Sequence, residues 1–251
     1  MNGTSTDSLA LLGGLPVVSE PFPRYNPIGR EELDAAHAVI ESGRLSDFLG
    51  SWSDGFYGGE QIKAFERAWE ARFDVAHAVS MNSNTSGLMA AVGAVGISPG
   101  DEVIVSPWTM SATATAILVW NAIPVFADIE EETFNLDPES IERNLTEYTK
   151  AIVVTDIFGH PADYDEIMRI ARKHDLAVIE DSAQAPGAQY KGRPVGTLAD
   201  IGVFSLNFHK HIHTGEGGVC VTNDPKLAER LQLIRNHGEA VVEAKEEPDI
   251  S

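Results

Sequence analysis

The stretch that most limits what this chain can become is residues 177–223, AVIEDSAQAPGAQYKGRPVGTLADIGVFSLNFHKHIHTGEGGVCVTN. An apolar strand, Ala177-Val178-Ile179, ends in the acidic pair Glu180-Asp181, with Gln184 three residues on. A second apolar strand, Ile201 to Leu206, carries Ser205 and leads into Lys210. Gly215-Glu216-Gly217-Gly218 follows, a run that suits a tight turn or a close backbone approach. A carboxylate at the C-terminal end of a parallel strand points into the crevice where open α/β sheets bind ligands. A lysine between apolar strands in that crevice is a candidate nucleophile. Either residue alone reads as a surface lysine or a capping aspartate; their combination is what a pyridoxal-type cofactor requires.

The flanking sequence predicts the sheet that would hold such a crevice. Strand patterns cover 76–81, 102–106, 124–128, 151–158 and 177–180, with helical spacing at 86–95, 111–121, 137–145 and 164–174. Alternation of this kind predicts an α/β fold with a mostly parallel sheet covered by helices on both faces. The segment 218–222 follows its predecessor after too short a connection for a helical crossover, so it is expected to run antiparallel. Helices are also expected at 31–42, 61–73 and 225–236. Residues 1–29 read as irregular, and the glycine- and aromatic-rich FLGSWSDGFYGG (48–59) reads as a loop suited to lining a substrate site.

Charge and cysteine usage narrow the function. Thirty-eight Asp and Glu against 18 Lys and Arg give a formal charge of -20, with no basic stripe for nucleic acid. The one cysteine, Cys220, lies in an apolar strand and cannot form an intrachain disulfide, which suits a cytoplasmic location. No apolar run approaches the roughly 18 residues of a membrane span.

The ordered blocks ED-S-A-Q, G-A-x-Y-K-G-R-x-V-G, F-S-L-N-F-H-K and T-G-E-G-G, spread through a match from about Gly43 to Gly238, resemble the DegT/StrS family of PLP-dependent sugar aminotransferases. The resemblance implies the large domain of the aspartate-aminotransferase-like, fold type I enzymes, with pyridoxal 5′-phosphate as cofactor. It makes Lys210 the Schiff-base lysine and Asp181 the partner of the pyridine nitrogen, and sets Gln184 beside the phenolic oxygen. Thr85 and Ser86 map onto the family's Thr-Ala phosphate contact, with Ser205 as a second one. In that block, MNSNTSG, Asn84 stands where the family usually has glycine. A strand-to-helix junction rich in hydroxyls is an anion site in its own right, although ordinary capping by Ser83 or Thr85 looks the same in sequence. Against the ring face the family places an aromatic residue after a threonine. That position is Met110 here, while Trp108 precedes the threonine, so either could cover the ring.

His209, His211 and His213 alternate around Lys210, a spacing that invites a metal reading, but no supporting cysteine or HExxH-type pair exists and no metal is expected. His209 and His160 are possible site-lining residues. Glu180, one residue before Asp181, should face the opposite side of the sheet.

The expected function is transfer of an amino group from glutamate or glutamine to a keto-sugar, nucleotide-linked or alternatively a cyclitol ketone, in amino-sugar, surface-polysaccharide or secondary-metabolite biosynthesis by a homodimer. The expected layout is an arm and helix at 1–42, the cofactor domain at 43–238 and a polar tail at 239–251. Family members continue past the N-H-G signature, here Asn236-His237-Gly238, into a small C-terminal domain. The 251 residues hold no such segment, so the chain by itself is expected to be inactive. The rival expectations are a catalytically incomplete protein that binds PLP or a partner, and a PLP-dependent sugar dehydratase, against which Lys210 argues because those members carry histidine there.

Overall fold

A computed structural model describes residues 8–23, 25–238 and 241. The chain divides after Leu45 into two compact units. The first holds a short 3-10 turn, Ala10–Leu12, and helix α1, Arg30–Ser42. In α1, Glu32 reaches back to accept from the Gly29 N–H at 2.7 Å, and Gly43 closes the helix in the left-handed conformation.

The second unit contains the sheet. Its helices are α2 (Glu60–Phe73), α3 (Asn84–Ala94), α4 (Ser111–Leu118), α5 (Pro138–Asn144), α6 (Tyr164–His174) and α7 (Pro225–Arg235). Its strands are β1 (His77–Met81), β2 (Glu102–Val105), β3 (Ile123–Phe126), β4 (Thr149–Thr155), β5 (Ala177–Asp181), β6 (Gln189–Tyr190), β7 (Arg193–Pro194), β8 (Ile201–Ser205) and β9 (Gly218–Thr222). Seven strands form one sheet in the order β1-β9-β8-β5-β4-β2-β3, and β6 with β7 forms a separate two-stranded ribbon. All pairings in the large sheet are parallel except those of β9, which runs antiparallel to both β1 and β8. The expected α/β fold and the reversed strand are thus both present.

The central strands β2, β4, β5 and β8 read as nearly continuous apolar runs because each is buried on both faces. Alternate residues divide between two cores. Val103, Val105, Val153, Ile179 and Val203 pack with α3, α4 and Leu231 of α7. Ile104, Ile152, Val154 and Val178 pack with Ile141 of α5 and Ile167, Ile170 and Ala171 of α6. A third cluster sets Trp69 and Phe73 of α2 against Phe204, Val219 and Val221. Burying each such side chain is worth about 1.5–3 kcal/mol, so slipping one strand by a residue would forfeit several of these contributions together.

Local chemistry sets the helix ends. Asp137 accepts from the N–H groups of Glu139 (2.9 Å) and Ser140 (3.1 Å), and Asp224 accepts from Lys226 (2.7 Å), each followed by a proline whose missing N–H costs nothing there. β4 ends at Thr155, three residues before its expected limit, because Phe158 lies inside a 3-10 turn with φ of 56°. The loop 48–59 folds onto itself. Phe56 is buried against Trp52 and Tyr57, and the Asn236 amide donates to Leu49 O at 2.8 Å and Phe56 O at 3.2 Å.

Candidate active site

The C-terminal ends of β1, β4, β5 and β8 open on one cavity of about 590 Å³. Thr85, Met110, Asp181, Gln184, Ser205 and Lys210 all line it, so six of the seven residues singled out in the sequence converge. Ser86 lines a neighbouring cavity instead. Its hydroxyl bonds within the turn, to Asn82 Oδ1 and to Ser83 O at 3.0 Å, while its N–H is capped by Ser83 Oγ at 3.1 Å. The cap takes the Ser86 N–H, which leaves the first-turn N–H groups of Asn84 and Thr85 at the mouth of α3. β9 begins directly against this turn. A Cβ on Gly218 would sit 2.5 Å from the carbonyl carbon of Ser83 and 2.7 Å from Asn84 N, so only glycine allows the approach.

Asp181 is the last residue of β5 and is 3% exposed. Its Oδ2 accepts from Thr113 Oγ1 at 2.9 Å; its Oδ1 accepts from Ala183 N at 3.3 Å and from Asn84 Nδ2 at 3.4 Å. Burial raises its pKa, while the Thr113, Ala183 and Asn84 hydrogen bonds and the charge of Lys210 pull the other way. Thr113 and Asn84 escaped the sequence reading. Thr113 lies inside an apolar helix pattern, and Asn84 stood out only as a departure from glycine. Its amide reaches between α3 and β8, donating also to Val203 O at 3.3 Å.

Lys210 is half-buried in the turn after β8 and donates its N–H to Asn207 O at 2.8 Å. The loop that carries it is closed by Leu206 N to Gly217 O (2.8 Å) and by Asn207 Nδ2 to Glu216 Oε1 (2.6 Å), with Gly215 at φ 85° making the turn. His209 and His211 line the same cavity. Among the described residues no three His, Cys, Asp or Glu side chains gather in a metal-like group. Gln184 lines the cavity and accepts from the Phe158 N–H through Oε1 at 2.8 Å.

Of the two candidates for the ring face, Met110 lines the cavity. Trp108 is half-exposed and packs on Phe134 at 5.9 Å between centroids, neither over the cavity nor in the core. The aromatic loop 48–59 does not line this cavity; Phe48 lines the neighbouring one, beside Ser86 and Trp120.

Glu180 faces the opposite side of β5, as strand alternation requires. Its oxygens accept from Gly196 N at 2.5 Å and Leu198 N at 2.9 Å, which fixes the loop before β8. Beside it, Asp156 accepts from Tyr164 Oη at 3.0 Å and Ser182 Oγ at 3.1 Å, and burial together with the Glu180 charge holds its pKa well above the usual range. Neither carboxylate enters the cavity.

The donor set fits pyridoxal phosphate. It offers an amine and a buried carboxylate on one cavity, a helix N-terminus with Thr85 and Ser205 for an anion, and an amide NH2 from Gln184. Comparison with known proteins agrees with that chemistry. The L-glutamine:2-deoxy-scyllo-inosose aminotransferase of Streptomyces lividus is 41% identical over 234 residues, covering 92% of this chain and 54% of its own. The crystal structure of an aminotransferase from Psychrobacter cryohalolentis superposes with a TM-score of 0.80 at 38% identity, covering 91% of this chain and 56% of that one. NtdA from Bacillus subtilis, solved with bound cofactor PMP, has a TM-score of 0.70 at 30% identity, covering 79% and 42%. The chain thus spans about half the length of the relatives it matches. The model of the DegT/DnrJ/EryC1/StrS aminotransferase family matches residues 34–248, and the chain belongs to that family.

Proposed function

We propose that this chain forms the cofactor-binding part of an aminotransferase that moves an amino group from an amino acid to a keto-sugar or cyclitol ketone. The observation that carries the reading is the meeting of Lys210 and Asp181 on one cavity at the ends of β8 and β5. Pyridoxal phosphate supplies, when bound, the electron-withdrawing ring through which an amino group changes carbon. Lys210 Nζ would be the amine that holds the cofactor and, when free, the base that moves a proton at the reacting carbon. Asp181 would supply the carboxylate that pairs with the ring nitrogen and favours its protonated form. Thr85, Ser205 and the first-turn N–H groups of α3 would hold the phosphate, with Ser86 shaping that turn through its capping bonds. Gln184 Nε2 would donate to the phenolic oxygen, and Met110 would cover one ring face.

Glutamine or glutamate is the proposed donor, in keeping with the donor that the Streptomyces lividus relative's name prints. A nucleotide-linked keto-sugar is the proposed acceptor, with a cyclitol ketone as the second, favoured by the same relative. The products would serve amino-sugar, polysaccharide or secondary-metabolite synthesis. The proposed setting is a cytoplasmic homodimer. Half-exposed Leu118, Val119, Ile123 and Phe126 on α4 and β3 supply an apolar face for a second copy. Among the described residues no helix is long and apolar enough to cross a membrane.

A single-turnover assay tests the assignment. Loaded with PLP and mixed with L-glutamine or L-glutamate, any longer parent of this chain that carries the small C-terminal domain is expected to release one equivalent of 2-oxo acid. Lys210→Ala should release none, and Asp181→Asn should be slowed by several powers of ten, at about 1.4 kcal/mol of barrier for each. Release by Asp181→Asn at the unaltered rate would remove Asp181 from the mechanism.

A further inference from the structure

Three threonine hydroxyls stand in line behind the buried carboxylate. Thr155 Oγ1, at the end of β4, lies 3.1 Å from Thr109 Oγ1, in the loop before α4. Thr109 Oγ1 lies 2.9 Å from Thr113 Oγ1, and Thr113 lies 2.9 Å from Asp181 Oδ2. Thr113 is fully buried, Thr155 is 4% exposed, and Thr109 and Thr155 both reach the cavity wall.

The sense of this chain follows from counting protons. A hydroxyl has one hydrogen to donate, and an ionised carboxylate can only accept. Thr113 gives its hydrogen to Asp181 and must accept from Thr109. Thr109, having spent its own, must accept from Thr155. All three O–H dipoles therefore point toward Asp181, an arrangement in which each bond polarises the next. The far end, Thr155 Oγ1, is left to the cavity as an acceptor.

We propose that Thr155, Thr109 and Thr113 form a polarised hydroxyl relay that orients the Asp181 carboxylate and holds it ionised before the cofactor arrives. The elements around Asp181 otherwise bring neutral donors, Asn84 from α3 and the Ala183 N–H. The charged group that acts on it is Lys210. Glu180 and Asp156 lie on the opposite face of the sheet and pair with each other. Without the relay, burial would raise the Asp181 pKa further, and a protonated Asp181 would reverse the Thr113 bond and lose its charge toward the ring. Thr113 and Thr109 are thus positioning residues, acting through Asp181. Their importance for catalysis rests on the function proposed above, but their effect on Asp181 does not.

The test reads Asp181 directly, in the 251-residue chain without cofactor. The side-chain carboxyl ¹³C shift is followed against pH, with Asp181→Asn identifying the resonance. Thr113→Val, which keeps the shape and removes the donor, is expected to move the Asp181 titration to higher pH, by roughly ten-fold or more in proton affinity. Thr113→Ser should restore it to within about two-fold, because the hydroxyl returns. Thr109→Val should raise it by less, since it cuts the relay one bond further away. An Asp181 titration unmoved by Thr113→Val overturns the relay. Should that variant fail to fold, one unmoved by Thr109→Val does the same. If the titration responds as described while PLP attaches elsewhere than Lys210, the relay stands and the proposed function falls.

Discussion

At the residue scale, the site depends on which carboxylates keep their charge. β5 ends in two acids, and alternation sends Glu180 and Asp181 to opposite faces. Asp181 meets hydroxyl and amide donors and faces Lys210. Glu180 meets Asp156, and burial raises both of their pKa values, that of Asp156 further because of the Glu180 charge. Both shifts favour the protonated form, that of Asp156 the more strongly. A carboxyl whose pKa is raised by folding contributes its full stability below the unfolded value, near 4, and loses it as pH rises through the folded value. Stability should therefore decline from mildly acid toward alkaline pH, by at most about 1.4 kcal/mol per pH unit for one proton. Asp156→Asn supplies the neutral form permanently and can still accept from Tyr164. Urea midpoints measured from pH 5 to 9 are expected to fall less steeply in Asp156→Asn than in the unaltered chain. Equal slopes would show that the pair holds no proton.

At the scale of elements, the boundaries were legible because each has a local cause. Asp-Pro starts of α5 and α7, and the apolar periods of 2 and 3.6 residues, place most helices and strands within two residues of where they lie. Capping and periodicity are read over short windows. The β6–β7 ribbon was not legible, since two-residue strands have no period, and Phe158 ended β4 early through a backbone conformation that its side chain does not announce. The glycine run was legible as a need for close approach but not as to its target. That target proves to be the turn before α3, where Gly218 lies under Ser83 and Asn84. Gly218→Ala would force β9 away from this turn. Overpacking of this kind costs about 1–3 kcal/mol, so a lowered urea midpoint and weakened PLP binding are expected together. A variant with unchanged stability and affinity would show that the turn yields freely.

For the whole molecule, the sequence carried the α/β class and the one reversed strand, but not the order of strands. β9 lies between β1 and β8, a long-range choice that no local pattern encodes. The cavity residues came through the family resemblance, block by block, rather than from periodicity. Those that support them, Thr113 and Asn84, are ordinary helix residues until the fold sets them against Asp181. Lys210 and Asp181, 29 positions apart in the sequence, become a site only because β5 and β8 pair as neighbours and end on the same side. That meeting is the central claim, and among the described residues Lys210 is the one lysine lining the cavity. Borohydride reduction of the chain in the presence of pyridoxal phosphate, followed by peptide mass mapping, tests it most directly. The account predicts the added mass on the peptide that contains Lys210, and its loss in Lys210→Ala; an adduct on Lys191 or Lys226 with Lys210 unmodified would contradict it.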